Sequence, residues 1–62
     1  MSAKFEIFKD SINEYRFRLK APNGEIIAVS EGYTTKQNAQ KGIEAVKEYA
    51  NEADVSDNTA NQ

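Results

Sequence analysis

The sequence predicts an α+β fold, in which a three-stranded antiparallel meander sheet packs one face against a single helix in the order β-β-β-α. Three observations support this prediction. Two segments alternate apolar and polar residues with the period of a strand, a third apolar run follows a turn signal, and a stripe of apolar residues then recurs with helical spacing. The chain has 62 residues, enough for one small domain, which we assign to residues 1–50.

The first two strands are predicted to form a hairpin. Residues 4–9 and 15–20 both alternate, and residues 10–14 between them form a polar loop. One register satisfies both faces, because it brings aromatic and aliphatic residues together and sets an acid opposite a base. Its pairs are Lys9 with Tyr15, Ile7 with Phe17, Phe5 with Leu19 and Glu6 with Arg18.

The third strand is predicted over residues 25–30, after a Pro-Asn-Gly turn signal. Two registers are open, and the length of the loop decides which apolar pair of this strand faces the core. A tight two-residue loop places Ile26 and Ala28 beside the apolar residues of the second strand. A loop that is one residue longer places Ile27 and Val29 there.

This third strand is apolar on both of its faces, and a strand of that kind is normally covered on both. One helix covers only one face, so the second cover must come from elsewhere. A chain of this size also buries only about 60% of its unfolded surface, and the absence of cysteine excludes disulfides as added stability. We therefore predict a homodimer, with a candidate interface formed by Ile26, Ile27, Ala28 and Val29.

The helix is predicted to begin after Tyr33 and to end near Asn51. Thr34 together with Gln37 matches the capping-box pattern, and Thr35 is the competing cap. The apolar residues at helical spacing form one stripe, which consists of Ala39, Gly42, Ile43, Val46, Tyr49 and Ala50.

A glycine lies in the middle of this helix, at Gly42, where it costs about 1 kcal/mol relative to alanine. We expect the helix to approach a bulky ring of the sheet closely at this point, either Phe17 or Tyr15. Tyr33, which precedes the helix, is expected to take a core or interface position rather than to bind a ligand.

The last segment, residues 51–62, carries Glu52, Asp54 and Asp57 but no lysine, arginine or aromatic residue. Such a segment buries too little apolar surface to offset its ordering entropy. We predict a disordered acidic tail, and favour simple solvation over an interaction role.

Signatures of an enzyme are absent from the sequence. Without histidine or cysteine, a Ser-His-Asp triad, a cysteine nucleophile and a cysteine-ligated zinc site are excluded. The glycines are isolated, so no phosphate-binding loop is formed. The acids of the first fifty residues lie in loops or beside bases, and no loop has the EF-hand pattern. We expect no catalysis, no cofactor and no metal.

A row of cations, Arg16, Arg18 and Lys20, is predicted on the outer face of the middle strand. Sheet proteins of some families read nucleic acid with such a row. Against this hypothesis, the chain has a net charge of -2, whereas nucleic-acid binders commonly present a strongly basic face. We favour a solvated outer face whose cations pair with neighbouring acids.

Membrane association is not expected. No segment approaches the roughly 20 apolar residues of a membrane span, and residues 1–9 lack the apolar run of a signal peptide. The sequence therefore predicts a cytoplasmic protein.

Several short motifs carry a resemblance to a known family. They are Tyr15-Arg16-Phe17-Arg18-Leu19-Lys20-Ala21, Asn23-Gly24-Glu25-Ile26-Ile27, Ser30-Glu31-Gly32-Tyr33-Thr34, and the helix residues Lys36, Ala39 and Gly42-Ile43. On these residues the chain resembles the YegP-like family of small bacterial and archaeal proteins. The resemblance covers nearly the whole predicted domain and implies the same β-β-β-α unit. The chain departs from the family pattern in the first hairpin loop, residues 10–14, which lacks a glycine.

The resemblance also implies a unit that often occurs as two tandem copies in one chain. A chain with one copy is expected to recover the shared surface by forming an isologous homodimer. Two hypotheses of function result. The first is a non-enzymatic homodimeric module that acts as an accessory or stress-related binding protein, and the second is a nucleic-acid binder that uses Arg16, Arg18 and Lys20. The family carries no activity that decides between them, and the resemblance leaves open whether a small-molecule ligand is bound.

Overall fold

The computed structural model of the protein describes residues 2–61. Met1, the first residue of the predicted domain, and Gln62, the last residue of the predicted tail, lie outside the described residues. Its elements are strands β1 (Lys4–Lys9), β2 (Tyr15–Lys20) and β3 (Ile26–Val29) and helix α1 (Lys36–Tyr49), followed by a short 3-10 helix over Thr59–Asn61. The strands form one antiparallel sheet in the order β1-β2-β3. The predicted α+β class and the β-β-β-α order are confirmed.

The hairpin of β1 and β2 has the predicted register. Lys9 lies opposite Tyr15, Ile7 opposite Phe17, Phe5 opposite Leu19 and Glu6 opposite Arg18. The core-face positions of the hairpin are apolar except for Lys9, and Phe8 is the one apolar residue of its outer face. A slip of one residue would have turned Phe5 and Ile7 to the outer face, so the pattern excludes it.

The loop of this hairpin is organised by Asp10. Its Oδ1 atom accepts hydrogen bonds from the amides of Ile12, at 3.0 Å, and Glu14, at 2.9 Å. Asn13 has a φ of 71°, in the left-handed region that asparagine tolerates better than most residues. The loop therefore reaches a glycine-like backbone conformation without a glycine.

The register of β3 differs from both predicted alternatives. The amide of Ala21 donates to the carbonyl of Glu25 at 2.8 Å, so the loop spans residues 22–24 and is the longer of the two. A β-bulge then shifts the pairing between Leu19 and Lys20. The resulting pairs are Lys20 with Ile26, Leu19 with Ala28 and Arg18 with Val29.

This bulge leaves Ile27 as the extra residue of β3. With the longer loop alone, Ile27 would have paired with Leu19 on the core face. The inserted residue instead brings Ala28 to that position and turns Val29 to the outer face. The strand is also shorter than the predicted 25–30, because only residues 26–29 have strand geometry.

The core lies between α1 and the first two strands. Phe17, Ala39 and Ile43 are buried, and the ring of Phe17 packs edge-on against Phe5 and stacks on Tyr33, with centroid distances of 6.0 and 6.2 Å. Of the two positions predicted for Tyr33, core and interface, the structure therefore shows the core position. Its backbone also pairs with Tyr15 in an isolated bridge.

Gly42 lies against these rings. A Cβ atom built on Gly42 would lie 2.9 Å from Cε2 of Phe17 and 2.6 Å from Oη of Tyr33. The predicted close approach to Phe17 is confirmed, and the alternative with Tyr15 is wrong. The second ring at this contact is Tyr33, because the bridge to β2 brings it under the helix.

Helix α1 begins with Thr35 as its N-cap. The Thr35 hydroxyl accepts a hydrogen bond from the amide of Asn38 at 3.1 Å, so the competing cap is the correct one and the capping box at Thr34 is wrong. The helix ends at Tyr49, two residues before the predicted Asn51. The end of the apolar stripe lies outside the core, since Tyr49 and Ala50 are exposed.

The segment that follows α1 is exposed at every described position from 51 to 60. Its side chains make short-range contacts of their own, such as the hydrogen bond from the hydroxyl of Thr59 to Asp57 at 2.6 Å. The division into a domain over residues 1–50 and a disordered tail over residues 51–62 stays a prediction.

Candidate functional site

The predicted dimer interface lies on an open edge of the sheet. Ile26, Ile27 and Val29 are 50%, 61% and 54% exposed, and Ala28 is exposed beside them. The cause is the position of α1, which contacts β1 and β2 but does not extend over β3. The structure therefore brings all four predicted residues together on one uncovered strand.

The backbone of β3 is uncovered as well. The amide of Ser30 donates to the carbonyl of Phe17 at 2.8 Å, and polar groups alternate sides along an antiparallel strand. The N–H and C=O groups of Val29 therefore point away from β2. No strand within residues 2–61 pairs with that edge of β3.

Arg16, the first cation of the predicted basic row, forms hydrogen bonds with two separate parts of the fold. Its Nε donates to Oδ2 of Asp10 at 2.7 Å, and a terminal nitrogen donates to the carbonyl of Ser30 at 2.8 Å. The same side chain thus joins the first hairpin loop to the end of β3. Two of its five N–H donors are therefore used within the fold.

Arg18 and Lys20 share one carboxylate. Nε of Arg18 donates to Oε1 of Glu6 at 2.8 Å, and Nζ of Lys20 lies 3.7 Å from Oε2 of Glu6. The guanidinium of Arg18 also covers the ring of Phe8, 4.7 Å from its centroid. The cross-strand pair of Glu6 and Arg18 is the one that the register predicted.

These contacts set the charge of the outer face. The hydrogen bond from Arg16, and secondarily the amides of Glu14 and Ile12, lowers the pKa of Asp10. The hydrogen bond from Arg18, with added attraction from Lys20, lowers the pKa of Glu6. Both carboxylates are ionised at neutral pH, so they compensate most of the positive charge of the row. The structure does not support the nucleic-acid hypothesis.

Within residues 2–61, no three carboxylate-bearing residues lie close enough to hold a metal ion. Neither helix in that range has the length and apolar content needed to cross a bilayer.

Sequence reasoning missed one surface, a groove between β1 and α1. It is lined by Ile7 and Ile43 and by polar residues of the helix, among them Gln40 and Lys41. The polar face of α1, which carries Lys41, Glu44 and Lys47, gives no sign in the sequence of a neighbouring strand. Only the placement of α1 alongside the free edge of β1 turns that face into the wall of a groove.

Comparison with known proteins supports the fold and the family. The model of a domain of unknown function, DUF1508, matches residues 10–57. A UPF0339 protein of Treponema denticola is 54% identical over 55 residues, which cover 89% of this chain and 95% of the relative. The solution structure of a protein from Haloferax volcanii is 49% identical, with a TM-score of 0.85 over 90% of this chain and 95% of that one.

A further relative differs in length. The UPF0339 protein encoded 5′ of the ptx operon in Stutzerimonas stutzeri is 52% identical over 50 residues, which cover 81% of this chain but only 45% of that protein. The resemblance to the YegP-like family is confirmed, since these matches run over most of the chain. The chain belongs to the DUF1508 (UPF0339) family, whose description assigns it no function.

Proposed function

We propose that the protein is a non-enzymatic module that forms a homodimer through β3 and serves in the cytoplasm as an accessory or stress-related binding protein. The observation that carries this proposal is the exposure of Ile26, Ile27 and Val29 on a strand whose outer backbone edge is also free. Apolar side chains and unpaired backbone groups on one edge favour association with another strand.

A second copy of the same chain fits this edge. Two β3 strands that pair about a twofold axis satisfy the outward N–H and C=O groups of Val29 in both protomers. The same pairing brings Ile27 of each protomer close to the axis and removes apolar surface from water, at about 25 cal/mol per Å². The outer face around β2 stays accessible in such a dimer.

The length of one relative supports this arrangement. The match leaves more than half of the Stutzerimonas stutzeri protein uncovered, which is room for a second unit of the same size. A chain with two units can bury the β3 surface between them. A chain with one unit reaches the same burial by association.

The residues of this chain do not support an enzyme as a competing proposal. The sequence has neither histidine nor cysteine, and the acids of the outer face, Asp10 and Glu6, are engaged with arginines. Charges that are paired within the fold hold the sheet together and are poorly placed to transfer protons to a substrate.

The test is a charge placed in the centre of the proposed interface. We expect Ile27→Asp to convert the dimer to a monomer, because a carboxylate would be buried without a partner. The matched control is Ile12→Asp, since Ile12 is 69% exposed in the loop between β1 and β2 and does not belong to β3. Light scattering measures the mass of both variants, and circular dichroism checks that both are folded.

Two results would contradict the proposal. One is a monomeric unmodified protein, and the other is an Ile27→Asp variant that stays dimeric. If Ile27→Asp unfolds, the milder Ile27→Thr variant tests the same contact. It should raise the dissociation constant several-fold without a change in the fold.

A further inference from the structure

We propose that the groove between β1 and α1 binds an extended acidic peptide, which adds as a strand to the open edge of β1. This surface lies at the opposite edge of the sheet from β3. The inference is therefore independent of the proposed dimer.

The groove runs along the whole of β1. Three adjoining depressions of about 320, 480 and 400 Å³ follow the line between strand and helix. The first two share Ile7 and Gln40, and the last two share Ile43. A continuous channel of this kind matches the length of an extended peptide segment.

The backbone of β1 offers the hydrogen bonds that a peptide strand needs. The amide of Asp10 donates to the carbonyl of Glu14 at 2.9 Å, which fixes the residues of β1 that point toward β2. By alternation, Phe5, Ile7 and Lys9 direct their N–H and C=O groups toward the groove. Within residues 2–61 no strand pairs with this edge. Strand addition beside a helix is a recurrent mode of peptide recognition.

The charge of the groove favours an acidic peptide. Five lysines line it, and Glu44 is the carboxylate among its lining residues; the lysines are Lys4, Lys9, Lys36, Lys41 and Lys47. None of these five lysines forms an ion pair with a described carboxylate, because the ion pairs of the described chain involve Arg16, Arg18 and Lys20. Uncompensated charge beside a binding groove sets which partner is attracted.

The floor of the groove favours a peptide over a nucleic acid. Ile7 and Ile43 are apolar, and the outward amides and carbonyls of β1 alternate as donors and acceptors. A peptide backbone satisfies both kinds of group, whereas a phosphate chain supplies acceptors only. The amides of Gln37 and Gln40 on the opposite wall can also donate to a peptide carbonyl or carboxylate.

The test titrates the full chain, labelled with ¹⁵N, with an octapeptide that alternates glutamate and valine. We expect shifts at the amides of Phe5, Ile7 and Lys9, and slower hydrogen exchange at these three amides, because each gains a carbonyl partner. A peptide with the same sequence but methylated backbone nitrogens should not bind. That control keeps the charge and removes the strand-forming donors.

Charge variants test the wall of the groove. Lys36→Gln together with Lys41→Gln should weaken peptide binding about fivefold at low salt, in keeping with the modest energy of exposed ion pairs. Arg18→Gln together with Lys20→Gln changes the net charge equally, and neither of these two residues lines the groove. The affinity of this control pair should stay unchanged.

Four results would overturn the proposal. The first is the absence of any shift at millimolar peptide, and the second is equal binding of the methylated peptide. The third is an equal response of the same amides to a single-stranded oligonucleotide. That result would show that the groove recognises negative charge and not a peptide backbone. Amides of Phe5, Ile7 and Lys9 that are already protected in the free protein would likewise contradict the open edge.

Discussion

At the scale of single residues, Gly42 provides the sharpest test of the core. Alanine in a helix is normally about 1 kcal/mol more favourable than glycine. Here the added Cβ would meet Oη of Tyr33 at 2.6 Å and Cε2 of Phe17 at 2.9 Å. We expect Gly42→Ala to destabilise the protein by about 1–3 kcal/mol, as overpacked cores do. Chemical denaturation measures the free energy of unfolding.

Two further variants control this experiment. Ala45→Gly, on the exposed side of the same helix, should cost about 1 kcal/mol and reports the ordinary propensity. Adding Tyr33→Phe to Gly42→Ala removes the nearest atom and should restore part of the lost stability. A Gly42→Ala variant that is more stable than the parent would show that the helix does not approach the rings.

The carboxylates of the outer face predict the pH dependence of stability. Asp10 and Glu6 have pKa values lowered from the ordinary 3.8 and 4.5 by the hydrogen bonds from Arg16 and Arg18. A pKa that is lower in the folded state adds stability above the unfolded pKa, and that stability is lost as the pH falls through the folded pKa. We expect constant stability near neutral pH and a decline below about pH 4.5, where these carboxyls gain protons in the unfolded chain before they do so in the folded protein.

An NMR titration of the side-chain carboxyl carbons checks this prediction. Arg16→Gln should raise the pKa of Asp10 toward 3.8, while Lys41→Gln, which lies away from the outer face, should leave it unchanged. An unchanged pKa of Asp10 in Arg16→Gln would contradict the described pairing.

At the scale of elements, the two candidate caps of α1 can be separated by mutation. The hydroxyl of Thr35 accepts the amide of Asn38, so Thr35→Ala should cost about 1 kcal/mol. Thr34→Ala should change the free energy of unfolding by much less, because Thr34 is exposed and makes no capping bond. Equal losses from the two variants, measured by chemical denaturation, would contradict this assignment.

The strands show how far sequence periodicity determines structure. In β1 and β2 every core-face position except Lys9 is apolar, so one register groups these side chains on the face toward the helix. In β3 both faces are apolar, and a slip of one residue exposes no charge. The bulge at Ile27 therefore carries no signal in the sequence, and the predicted registers were wrong for this reason.

The contacts of the candidate sites also differ in how far the sequence predicts them. The grouping of Ile26 to Val29 and the pairing of Glu6 with Arg18 follow from local pattern and register. The pairing of Arg16 with Asp10 depends on the loop conformation at Asn13, which no pattern determined. The groove depends on the lateral position of α1, and a helix of this composition could cover any two of three strands.

At the scale of the whole molecule, charge is divided among separate surfaces. Three of the eight basic residues are paired on the outer face, and the acids of the last segment lie apart in an exposed stretch. The lysines of the groove have no such partners among the described residues. This division explains how a chain of net charge -2 presents one surface that is locally positive.

The molecule also has two open sheet edges with different character. The edge of β3 is apolar and uncovered on both faces, whereas the edge of β1 has a helix beside it and lysines around it. An apolar edge favours a permanent partner, and a charged groove favours a reversible one. On this basis we propose self-association through β3 and peptide binding at β1.

The solution mass of the unmodified protein tests the central claim most directly. Light scattering across a dilution series should give twice the 6.9 kDa of one chain down to micromolar concentration, because the uncovered β3 strands are expected to pair. A mass of one chain throughout the series would contradict the claim and leave β3 as an exposed apolar edge.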